Sequence, residues 1–309
     1  MRHRTALTWL VPLVGLLALV ASAAGLFWPG GPGPSTFTTV HGQTVQLYGQ
    51  GLYQKDTLFF AAAFKGLDVV TLAVFLPALL AAYWLFRRHS LRGRVLLTGV
   101  LGVYLYNGAS MAFSAAYNPL FLVYVALLGS SLFAFVLAFV SIDHGTLAAQ
   151  VSPQLPRRAL AIFLFVAGLA PLVLWLSDVL GTLAQGRVPE LLGSYTTAYT
   201  YAVDLAIIVP SVFVAGALLL RRAPVSYTLA GALLILLISV GVGVIATTTS
   251  QYSAGIAFSP GQLVGLIGSW IVLGLIAVAF TAALLRSLPT RANSSRAKAG
   301  RRAAPARVR

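Results

Sequence analysis

Six carboxylates hold nearly all the proton-transfer and cation-binding capacity of this chain: Asp56, Asp68, Asp143, Asp178, Glu190 and Asp204. Brought together in one pocket, carboxylates can bind a cationic group, coordinate a metal or work as acid and base. Asp68, Asp178 and Asp204 are the acidic candidates, because each adjoins a long apolar run. A second set is uncharged. Tyr106, Ser110, Ser114 and Tyr117 recur at i, i+4, i+8 and i+11, the spacing of one helix face, with Asn107 and Asn118 beside them. Hydroxyls and amides inside an apolar helix either bond to neighbouring helices or line a route for water or substrate. The candidate ligand-binding residues are therefore Asp68, Asp178, Asp204, Tyr106, Asn107, Tyr117 and Asn118, and no catalytic residue, metal ligand or cofactor is assigned.

Absences narrow the chemistry. Cysteine is missing, which removes thiol, disulfide and iron–sulfur chemistry. The histidines, His3, His41, His89 and His144, all fall outside the apolar runs, so a haem held between helices and a helical HExxH zinc site are not expected. No lysine lies deep in a run, and neither a GxxxxGK[ST] phosphate loop nor a GxSxG nucleophile elbow occurs.

The elements that must position these residues are helices in a bilayer. A spanning helix takes roughly 20 mostly apolar residues. Eight such runs are read at Ala6–Trp28, Leu67–Phe86, Val95–Ala116, Leu120–Ile142, Ala159–Leu176, Val203–Leu220, Tyr227–Thr247 and Leu263–Leu285. The chain is 59% hydrophobic and 9% charged, with mean hydropathy +0.89, where a soluble protein carries about 25% charged residues. The fold class expected is an all-α polytopic membrane protein. Its membrane domain spans residues 1–285, with an outer loop at 29–66 and a basic cytoplasmic tail at 286–309.

Loop charge sets the orientation. With both termini inside, all of the 21 basic residues except Lys55, Lys65 and Arg187 fall on the cytoplasmic side, as the positive-inside bias requires. The net charge of +15 is then topological and calls for no nucleic acid. The tail, which contains no acid, reads as disordered and suited to anionic lipid headgroups. Ala21-Ser22-Ala23 resembles a signal-peptidase site, but the apolar run continues through Trp28, and an uncleaved first helix is expected.

Two accounts of the acids remain open. Asp68 lies roughly 28 Å along a helix from Arg87, and Asp204 roughly 26 Å from Arg221, which puts both near the outer boundary. There they could be helix N-terminal carboxylates stabilised by the dipole, with Lys65 pairing Asp68 and Arg187 pairing Glu190. Alternatively they converge with Asp178 on an outward pocket. Asp178 sits where a helix ends, against the dipole, and so requires another partner. The outer face also collects Tyr48, Tyr53, Tyr117, Tyr195, Tyr199, Tyr201 and Tyr252. Thr36–Val40 and Gln43–Tyr48 read as a short hairpin around His41-Gly42, in a glycine-rich loop able to cap a pocket.

Polar landmarks suggest a duplicated four-helix unit, residues 6–142 and 159–285. Asp68, Pro77 and Arg87-Arg88 answer to Asp204, Pro210 and Arg221-Arg222. Leu122-Val123 and Ala138-Phe139 answer to Leu263-Val264 and Ala279-Phe280. Four spans per unit would relate the copies by an axis along the bilayer normal. Three functions fit: a receptor, sensor or assembly subunit partnering another membrane protein through the acidic, Tyr-rich outer face; a small-molecule transporter or its subunit, supported by Pro77, Pro171 and Pro210 but lacking a charge at mid-depth; and an outer-leaflet enzyme acting on a lipid-linked substrate through Asp56 or Asp68. Abundant Ala and an excess of Arg over Lys point to a bacterial plasma membrane.

Overall fold

The computed structural model describes residues 2–189 and 192–289. Eight of its helices are long and apolar enough to cross a bilayer. They are α1 (Arg2–Phe27), α2 (Leu58–Arg87), α3 (Leu91–Ser114), α4 (Phe121–Val140), α6 (Arg157–Ala184), α7 (Tyr199–Leu220), α8 (Ser226–Ser253) and α9 (260–287). A short helix, α5 (His144–Gln150), follows α4 and is capped by Asp143, which accepts from the Thr146 amide. The bundle surface is apolar, with large exposed side chains such as Trp9, Leu122, Val264 and Leu275. The molecule is an all-α polytopic membrane protein. The basic tail beyond residue 289, and Glu190, lie outside the described residues.

Helices α1 to α4 close a ring in which each packs on the next and α4 returns to α1. In α6 to α9, consecutive helices pack likewise, and Phe163 meets Phe280 with ring centroids 5.3 Å apart. The two groups join where α8 packs on α2 and α3, and α3 on α7. In lipid this close packing, rather than water exclusion, holds helices together, and small residues permit it. A side chain at Gly66 of α2 would place its Cβ 2.6 Å from the Ala246 carbonyl oxygen of α8.

Two helices share a run of local features. In α2 the Leu76 amide bonds back five residues to Thr71, and Pro77 follows; in α7 the Val209 amide bonds back to Asp204, and Pro210 follows. Proline lacks the amide its helix needs and crowds the carbonyl four residues earlier, and a widened π-turn just ahead of the ring relieves both problems. Both helices end alike. His89 (φ 61°) and Arg222 (φ 57°) adopt left-handed conformations that only a minority of non-glycine residues take. At each end, paired bonds from His89 to Phe86 and Ser90 to Leu85, and from Arg222 to Leu219 and Ala223 to Leu218, close the last turn. A third π-turn, Val264–Gly268, lies in α9.

Except for α4, which is trimmed at both ends, spans lengthen relative to the apolar runs. Helix α2 begins at Leu58 rather than Leu67, because the Thr57 hydroxyl caps the Phe60 amide and the helix runs through Lys65. Helix α6 continues to Ala184, past Asp178, and α7 starts at Tyr199, ahead of Asp204. Between α1 and α2, strands β1 (Ser35–Thr38) and β2 (Thr44–Leu47) form the expected antiparallel hairpin.

Candidate functional site

At the loop-rich end, which the charge bias assigns outward, α1, the hairpin loop and α2 enclose a cavity of about 380 Å³. Trp28 from the end of α1, Tyr48, Gln50 and Tyr53 from the loop and Lys65 from α2 line it, with glycine backbone between them. The Lys65 ammonium donates to the Tyr48 hydroxyl at 3.0 Å and sits 5.2 Å from that ring's centroid. The wall is folded backbone: the Gly51 amide donates to Gly30 at 2.7 Å, and the Gly33 amide to Gly49 at 2.9 Å. Gly49 is left-handed (φ 73°), and a Cβ there would lie 1.8 Å from the Gly33 carbonyl oxygen, so only glycine fits.

Tyr53 forms the cavity floor. Its hydroxyl donates to Asp68 Oδ2 at 2.8 Å, and Ser22 adds a second bond to that carboxyl. Gly25 of α1 packs directly on this group, where a Cβ would fall 1.9 Å from Asp68 Oδ2. Beneath lies a small void of about 20 Å³ lined by Ser22, Asp68, Thr71, Tyr104 and Asn107 among apolar neighbours. It is about the size of one water molecule. The Tyr104 hydroxyl is buried and has no hydrogen-bond partner among the described residues. The Tyr53–Asp68 pair thus stands between the outer pocket and this smaller space, Tyr53 lining the first and Asp68 the second.

Asp56 ties three outer segments together. Fully buried before α2, it accepts from the Ala116 amide at 2.8 Å and from the Tyr195 hydroxyl at 2.6 Å through Oδ1. Among the described residues its Oδ2 has no hydrogen-bond partner. Burial pushes its carboxyl up to about 6, although the Tyr195 and Ala116 bonds pull the other way. Burial likewise drives the Tyr195 and Tyr53 phenols up, beside Asp56 and Asp68 respectively.

The other two candidate acids form a separate cluster. Asp204 accepts from Tyr106 of α3 at 3.1 Å and from the Trp175 indole of α6 at 2.9 Å. Asp178 accepts from Tyr201 at 2.7 Å, and the Tyr201 ring stacks on Trp175 with centroids 4.1 Å apart. Asp68 shares no partner with either.

Each of Asp56, Asp68, Asp178 and Asp204 therefore accepts from a tyrosine hydroxyl. The dipole account of Asp68 and Asp204 is overturned, since Asp68 lies ten residues beyond Leu58 and Asp204 five beyond Tyr199. Lys65 spends its hydrogen bond on Tyr48 instead of Asp68. Tyr106 and Asn107, adjacent on α3, serve different acids: Tyr106 reaches Asp204, and Asn107 lines the Asp68 void. Tyr117 and Asn118 stand apart. Tyr117 is exposed against Phe121, and Asn118 braces its turn through the Ala116 carbonyl and the Leu120 amide. Sequence reasoning missed Trp175 and Tyr104; their signal was spacing, three residues before Asp178 and three before Asn107 on the same helix faces.

Among the described residues no group of three or more His, Asp or Glu side chains is placed to hold a metal ion. What fold and site define is a class, an integral membrane protein with a polar pocket at one end of an eight-helix bundle. No family model matches the chain, and neither a curated protein nor a solved structure is similar to it.

Proposed function

We propose that this is a bacterial plasma-membrane receptor, sensor or assembly subunit, oriented with both termini in the cytoplasm, that binds a small polar ligand in the outer pocket. The observation that carries the reading is the pocket of about 380 Å³ built between α1, α2 and a glycine-walled loop, a volume in the range of small-molecule sites. The outer aspartates are spent on tyrosine hydroxyls and brace helices, which favours binding over catalysis. Ser22, Gly25 and Trp28 of α1 all serve the site, which supports a retained first helix. The basic tail would rest on anionic headgroups, and lipid-exposed α9 leaves room for a membrane-protein partner. The shared π-turns, prolines and left-handed caps of α2 and α7 support the parallel four-helix duplication.

Native mass spectrometry of the full chain in nanodiscs tests the reading. A small molecule retained by the wild type and lost in Gln50→Trp, which fills the cavity, is the expected result. No retained molecule, or retention that Gln50→Trp leaves intact, removes the pocket as a ligand site.

One observation favours transport as a second reading. The outer pocket adjoins the small Asp68 space, with the Tyr53–Asp68 hydrogen bond between them. Opening that contact would join the two spaces. Uptake into proteoliposomes of the molecule retained in the binding experiment, altered by Tyr53→Phe, would select transport; binding without flux would select sensing.

A further inference from the structure

We infer that the outer pocket recognises an oxyanion, a phosphoryl or carboxylate group, through the Lys65 ammonium and the Tyr48 hydroxyl. This rests on the pocket being a ligand site and names the chemistry it takes.

Charge comes first. Among the described residues Lys65 is the one formally charged side chain lining the cavity, and no acid lines it. The carboxyl of Asp68, on the same helix, is buried and already accepts the Tyr53 hydrogen bond. Among the described residues Lys65 makes no salt bridge; its hydrogen bond goes to a neutral phenol, and Asp68 interacts with it only at longer range. An ammonium has three donors, so at least one beyond the Tyr48 bond remains for a ligand.

Donor direction comes second. Because the Tyr48 oxygen accepts from Lys65, its own proton is free to donate outward. Ammonium and phenol then present two donors side by side, as an oxyanion's adjacent oxygens require. Tyr53 cannot add a third, since its proton is committed to Asp68. Gln50 and Trp28, whose side chains carry further N–H donors, also line the pocket. The glycines let the backbone close around a ligand without side chains in the way.

An oxyanion at the outer boundary can belong to a lipid headgroup or to a soluble solute, and the experiment separates the two. The full chain is placed in phosphatidylcholine nanodiscs and titrated with inorganic phosphate, glycerol 3-phosphate and acetate. In parallel it is placed in nanodiscs containing phosphatidylglycerol, and retained lipid is read by native mass spectrometry. The expected result is saturable binding of at least one oxyanion, weakened tenfold or more by Lys65→Gln, severalfold by Tyr48→Phe and little by Lys65→Arg. Binding of a soluble anion in phosphatidylcholine assigns a solute; selective retention of phosphatidylglycerol alone assigns a headgroup. The inference is overturned by binding of no oxyanion, or by binding that both Lys65→Gln and Tyr48→Phe leave unchanged. If the pocket instead retains a neutral molecule that Gln50→Trp expels, the pocket stands as a ligand site and the oxyanion assignment alone fails.

Discussion

Asp56 shows how much of this molecule depends on single buried acids. In the unfolded chain its carboxyl titrates at its ordinary 3.8, whereas burial raises it to about 6 in the fold. Between those values the folded state holds a proton that the unfolded state has released. Stability therefore rises as pH falls from above 6 toward 4, and the ionised group costs about 3 kcal/mol at neutral pH. Asn at this position keeps an acceptor for Tyr195 and Ala116 and carries no charge. We expect Asp56→Asn to raise the thermal midpoint at pH 7.5 and to remove the wild type's gain on going to pH 5. A wild type that loses stability on acidification, or a variant that keeps the full pH difference, would refute the buried-charge account. The acids themselves were visible in the sequence, but their partners were not. Tyr195 lies 139 positions from Asp56, and Tyr106 lies 98 from Asp204. Pairings at that separation depend on which helices neighbour one another, and no local periodicity records that. Tyr53, only 15 residues from Asp68, was hidden by a different cause: it sits in a loop whose path is set by glycines with positive φ.

At the scale of elements, hydropathy found all eight spans because lipid demands a long apolar surface whatever the packing. It misplaced their outer ends. Lys65 and Asp68 interrupt the apolar run in α2, yet backbone hydrogen bonding carries the helix through them to the Thr57 cap. The prolines were legible, but not the π-turns that precede them, since a turn of five residues leaves no compositional mark. These turns set the phase between the half of each helix that carries the acid and the half that carries the arginine pair. Deleting Val74, an exposed residue inside the α2 π-turn, would restore an α-helical count while preserving the phase on both sides. Pro77 would then crowd the carbonyl four residues before it, at a cost of about 3 kcal/mol. The deletion should lower the thermal midpoint, and Pro77→Ala in the same chain should restore most of the loss. Deleting exposed Phe133 from α4, which has no such turn, should be far more damaging, because every side chain beyond it rotates by about 100°. Equal damage from the two deletions would show that the π-turn does not absorb a residue.

For the molecule as a whole, the question is whether the two groups of four helices are separable units. The α1–α4 ring closes on itself, and the α6–α9 group meets it chiefly through α8 on α2 and α3 and through α3 on α7. The connection between them, from Val140 through the short α5 to Arg157, packs as well: Ile142, Leu147 and Leu155 are buried in the main core, His144 bonds to Thr228 of α8, and the Ser152 amide donates to the Ser287 carbonyl of α9. Cutting it between residues 150 and 151 breaks one peptide bond and leaves these contacts in place. Because helices in lipid associate by close contact and polar bonds, the surfaces where α2 meets α8 and α3 meets α7 should suffice to hold two separate chains together. Residues 1–150 and 151–309, co-expressed with a tag on one, should therefore co-purify. Their thermal midpoint should be below that of the intact chain, since cutting the tether adds an association cost. The bond from Gln251 to the Phe59 carbonyl and that from Tyr106 to Asp204 both cross this interface. The control is Gly66→Leu, whose side chain would collide with the Ala246 backbone across the α2–α8 contact. It should abolish co-purification while each half still inserts. Halves that insert but never associate, or that associate regardless of Gly66→Leu, would mean that the contacts between the two groups are not what joins them, and the proposal of two four-helix units packed about a common axis would lose its physical basis.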